Sequence, residues 1–74
     1  MNAHLKAIKT KFIGQRDEEL ADLNVYLSNP VGVGEHGDIG EVIQKKIKKI
    51  ESLESQIECI DRHFNYTKLN NKDD

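Results

Sequence analysis

The chain has little cysteine, proline or large aromatic side chain. Cys59 stands alone, which excludes an intrachain disulfide and fits a reducing compartment. Tryptophan is absent, and two Phe and two Tyr are too few for an ordinary sheet-sandwich core. No run of 18 apolar residues occurs, so no membrane span is expected; "HLKAIKTKFIG" is broken by lysines and makes no signal peptide. Neither sign of charge dominates. Eleven Lys and Arg against 13 Asp and Glu leave a net charge of −2, so no global field draws in nucleic acid or an anionic membrane.

What is present suits long amphipathic helices: 74 residues, 32% charged and 36% apolar. That length allows one domain, in the range where a lone core is barely adequate. A small, soluble, cytoplasmic protein is expected.

Beyond residue 39 the apolar positions are Val42, Ile43, Ile47, Ile50, Leu53, Ile57, Ile60 and Phe64, the last five spaced 3, 4, 3, 4. That is the seam of a coiled coil. Asp38 followed by Glu41 fits a capping box, so a helix is expected over about 38–64. The polar, aperiodic residues 65–74 are expected to form a flexible tail.

A first helix is expected over about 3–28, with Leu5, Ile8, Phe12, Leu20, Leu23 and Leu27 on one stripe. Arg16 falls on that stripe, and steps of 4 on both sides of it predict a stutter. Gly14 costs about 1 kcal/mol relative to Ala there, yet a continuous helix is favoured over a kink. Pro30 pushes Asn29 out of the α region and ends the helix.

The nine-residue connector, 29–37, is short enough to fold the helices into an antiparallel hairpin. A fold about Val33 sets residue i opposite roughly 66 − i. Asp17, Glu18 and Glu19 then meet Lys45, Lys46, Lys48 and Lys49, while Lys6, Lys9 and Lys11 meet Glu51, Glu54, Glu58 and Asp61. Two helices cannot cover both flanks of the apolar stripe, so completion by self-association into a helical bundle is expected. A different protein filling the same groove is the rival.

Chemistry concentrates at the connector. "NPVGVGEHGDIGE" contains G-x-G-x-x-G at Gly32, Gly34 and Gly37, but a dinucleotide fingerprint needs a preceding strand, and here a helix precedes it. No Gly-Lys-Ser/Thr follows, which excludes a P-loop. A generic anion site on backbone N–H groups remains open, opposed by the acidic Glu35, Asp38 and Glu41. Glu35, His36 and Asp38 are too few for a closed zinc site. Cys59 and His63 share a helical face without an orienting third group, so no catalytic residue is assigned. The lysines of "QKKIKK" (Lys45, Lys46, Lys48, Lys49) lack interleaved arginines or aromatics and would give only salt-sensitive contact with nucleic acid. Val31 and Val33 either close the end of the helix pair or form an apolar tip with Pro30.

The segment "LADLNVYLSNPVGVGEHGDI" and the Ile-rich helix after it resemble short uncharacterised proteins of contractile-tailed phages, marine ones included. The likeness covers about half the chain and is centred on N-P-V-G-V-G-E-H. It implies a viral origin and no catalytic activity. The expectation is a non-enzymatic, self-associating helical protein that binds or inhibits a host protein through Asn29, Val31, Gly32, Gly34, Glu35 and His36. No cofactor or metal is expected. The alternatives are sequestration of a small anionic or nucleotide ligand, and a nucleic-acid accessory role for the lysines.

Overall fold

A computed structural model describes residues 1–28 and 38–64. The connector 29–37 and the tail 65–74 lie outside the described residues. The protein is all-α: α1 (Ala3–Ser28) and α2 (Ile39–Phe64), each 26 residues long, pack along each other. Their direction is fixed by the ion pairs. Lys9, early in α1, reaches Asp61, late in α2, at 2.6 Å, and Glu19 reaches Lys46 at 3.2 Å. The pair is therefore an antiparallel hairpin, and α1 passes Gly14 without a break.

Each helix starts on a side-chain cap. The Leu5 N–H donates to Asn2 Oδ1 at 2.9 Å, and the Glu41 N–H donates to Asp38 Oδ1 at 3.2 Å. The second cap is only half of the expected capping box, because the Glu41 carboxylate pairs with Lys45 at 3.4 Å. Glu41 in the first turn and Arg62 and His63 in the last complement the dipole of α2, whereas α1 has neither feature.

The core belongs to one helix. Ile50, Leu53, Ile57 and Ile60 are buried, Leu53 most deeply at 4% exposure, and α1 contributes no fully buried residue. Each such side chain stabilises by about 1.5–3 kcal/mol at most.

Along α1 the half-buried line is Leu5, Lys9, Phe12, Arg16, Glu19, Leu23 and Tyr26, in alternating steps of 4 and 3. The expected stripe is thus corrected. Ile8, Leu20 and Leu27 are exposed, and the predicted stutter at Arg16 does not occur. On α2, Lys46 takes the seam position beside the exposed Ile47. The physical reason is continuity with the opposite helix. An unbroken 4-3 line follows the Ile/Leu seam of α2 along its length. The long side chains of Lys9, Arg16 and Glu19 can lie with their stems inward and their charges at partners.

The charge pattern is met in part. Lys46 with Glu19 sits within one residue of the expected register, while Lys9 pairs about one turn beyond it. Asp22, not among the expected partners, joins Lys46 at 3.4 Å. Asp17 pairs instead with its neighbour Arg16, and Lys48 and Lys49 form no ion pair among the described residues.

Candidate functional site

At the connector end, a groove opens between the two helices on one flank of the seam. Glu19 and Tyr26 of α1 line one side; Val42, Lys45, Lys46 and Lys49 of α2 line the other, around a volume of about 320 Å³. Val42, Lys45, Lys46 and Lys49 recur at steps of 3 or 4, which puts them on one side of α2. Tyr26 enters because it continues the 4-3 line of α1 from Leu23.

Lys46 is the fixed element of the groove. Its side chain is 17% exposed, and its ammonium donates to Glu19 Oε1 at 3.2 Å and to Asp22 Oδ2 at 3.4 Å. It also lies 5.8 Å from the centre of the Tyr26 ring, within cation–π range. Burial pulls its pKa down, but the hydrogen bond and charge of Glu19, then those of Asp22, outweigh this and raise it. Lys46 is therefore held protonated, which suits a structural cation and not a proton acceptor.

The other lysines divide. Lys45 is exposed at the rim and tied to Glu41. Lys49 lines the groove with no ion pair among the described residues, leaving its charge available to a partner. Lys48 is exposed but does not line the groove, since it lies a third of a helical turn from Lys49. The four lysines expected as a cluster are thus one half-buried tie, two rim charges and one charge on another face.

Asn29, Val31, Gly32, Gly34, Glu35 and His36 lie outside the described residues. They join Ser28 to Asp38 and so belong by sequence to this end of the hairpin. Of the three residues weighed for a metal, Asp38 caps α2 and the other two lie outside the described residues. Among the described residues, no group of three or more His, Cys, Asp or Glu is placed to hold a metal ion. Cys59 is exposed, and the exposed His63 sets its ring edge-on to Phe64 at 6.2 Å. Neither lines the groove. Among the described residues, no helix is long and apolar enough to cross a membrane.

Tyr26 is the groove residue that the sequence reading left out. The available signal was its place three residues after Leu23, on the line facing α2. The chain matches no protein-family model, no curated protein and no solved structure at a significant level.

Proposed function

We propose that the protein is a non-enzymatic binding module acting at the connector end of its hairpin, where it engages an acidic surface on another protein. The Tyr26–lysine groove supports this reading most directly. It offers an aromatic ring and the unpaired charge of Lys49 toward the helix ends that the chain joins through Asn29, Val31, Gly32, Gly34, Glu35 and His36, the contact residues expected from the sequence. Tyrosine is among the side chains enriched at recognition hot spots, and an unpaired lysine beside it adds electrostatic complementarity to an acidic partner. The resemblance to phage proteins makes a protein of the host cytoplasm the expected class of partner, and its blockade the expected consequence.

The test is capture from host lysate, then reconstitution with the purified partner. Lys45→Glu with Lys49→Glu leaves the seam untouched and should weaken a wild-type complex at least tenfold. Equal binding by wild type and variant would remove the groove from the contact. Glu35→Ala with His36→Ala addresses the connector separately.

A second reading, capture of a small anionic ligand such as a nucleotide, is favoured by the same unpaired Lys49 beside a ring of suitable size for stacking. A thermal-shift screen separates the two, because a ligand at 100 times its Kd adds about 2.7 kcal/mol of stability. Nucleic acid is the weakest of the partner classes: Lys48 does not line the groove, Lys45 and Lys46 are already paired, and binding would have to fall steeply with salt.

A further inference from the structure

The flank opposite the groove carries exposed apolar residues that the hairpin does not cover. On α1 the row seven residues apart is Lys6, Ile13, Leu20 and Leu27; on α2 the corresponding row is Gly40, Ile47, Glu54 and Asp61. Leu20 is 38% exposed, Ile47 53% and Leu27 57%. In an antiparallel pair these two rows share a flank, and the bond from Lys9 to Asp61 crosses on that side.

We propose that a second copy of this chain covers this flank. The dimer has its two-fold axis parallel to the helices, so α1 of each protomer lies on α2 of its partner and both connectors emerge at the same end. Every helix is then antiparallel to its neighbours, as in an up-down-up-down four-helix bundle.

The two rows select this arrangement. At matched heights Leu27 meets Gly40 of the partner subunit, a large side chain over none. Leu20 meets Ile47 of the partner subunit, apolar on apolar. Lys6 meets Asp61 of the partner subunit, opposite in charge. Ile13 lies along the aliphatic stem of Glu54 of the partner subunit. The other face-to-face dimer, with its axis across the helices, stacks like rows on each other. It would press Ile47 onto Glu54 and Leu27 onto Lys6, twice each, desolvating charge without a partner. Among the described residues the buried core is four side chains of one helix, and so small a core supplies the need for such an interface. The proposal goes beyond the binding function and does not depend on it, because both grooves face outward in this dimer.

Sedimentation equilibrium of the full chain should give twice 8.5 kDa at micromolar concentration. Leu20→Ser with Ile47→Ser should raise the dimer dissociation constant at least 100-fold. Should that variant unfold, disulfide trapping on the intact seam decides. Two differently tagged chains, both carrying Cys59→Ser, are mixed: one with Leu20→Cys, the other with Ile47→Cys. The expected product is the heterodisulfide between these two positions, with little Leu20→Cys homodisulfide. A monomer at about 100 µM, a higher oligomer, or preferential trapping of Leu20→Cys with Ile13→Cys would each overturn the proposal.

Discussion

The two helices are equal in length and opposite in character. Among the described residues, all four buried side chains come from α2, whereas α1 gives none, and its seam includes Lys9, Arg16 and Glu19. Helix α2 is capped at its start and carries matching charges at both ends; α1 is capped at its start but lacks matching end charges. The difference shows how a hairpin can form with one well-made seam. A regular apolar line on one helix sets the register, and the second helix follows it with whatever residues fall there. Apolar side chains of α1 displaced by that register, Leu20 and Leu27 above all, become surface available for another contact.

Truncation should separate the helices most sharply. Leu53→Ala opens the core of α2 and should cost about 2–5 kcal/mol, read from urea unfolding. Val25→Ala on α1 removes an exposed side chain that is on neither the seam nor the proposed dimer face, and should stay within about 0.5 kcal/mol. Similar losses at the two positions would erase the asymmetry.

Next in size is the polar tie. Replacing Lys46 and Glu19 together by Leu should be neutral or stabilise the hairpin by up to about 1–4 kcal/mol, since two partly desolvated charges give way to an apolar layer. Lys46→Leu alone should destabilise, because it leaves Glu19 at the seam without its cation. A double variant less stable than the single one would show that the tie itself holds α1 in place.

The glycines give a smaller contrast. A Cβ at Gly14 meets nothing within 4 Å, so Gly14→Ala should stabilise α1 by about 0.5–1 kcal/mol. At Gly40 the added Cβ would come 3.2 Å from the capping Asp38 Oδ1, so Gly40→Ala should gain less. Thermal midpoints of the two variants measure the comparison directly.

The smallest effect is the pH response. Lys46 has its folded pKa raised above 10.5, so its contribution to stability is fully present below 10.5 and is lost as pH climbs through the folded value. Unfolding midpoints should fall over that alkaline range, and the Lys46→Leu variant should fall less. An equal fall in both proteins would exclude Lys46 as the group responsible.

The seam of α2 was legible in the sequence because Ile50, Leu53, Ile57 and Ile60 repeat at one period with no competing apolar line. On α1 two interleaved lines are compatible with the helical period, and the one through Ile8, Leu20 and Leu27 is the richer in Ile and Leu. The structure chose the other, because its 4-3 steps keep pace with α2 and two of its charged members, Lys9 and Glu19, find partners across the seam. The groove was half legible. Its lysines stood out as a cluster, but composition could not separate the tied Lys46 from the free Lys49 or place Tyr26 beside them.

By itself the sequence determined two helices, their antiparallel return and the α2 core line Ile50, Leu53, Ile57 and Ile60, though Phe64, which the same spacing adds to that line, is exposed; periodicity and proline act locally along the chain. The tertiary structure alone decided which face of α1 turns inward, and with it the groove and the uncovered flank. That choice depends on matching one helix to another, an energy held by pairs of residues distant in the chain and by neither helix alone.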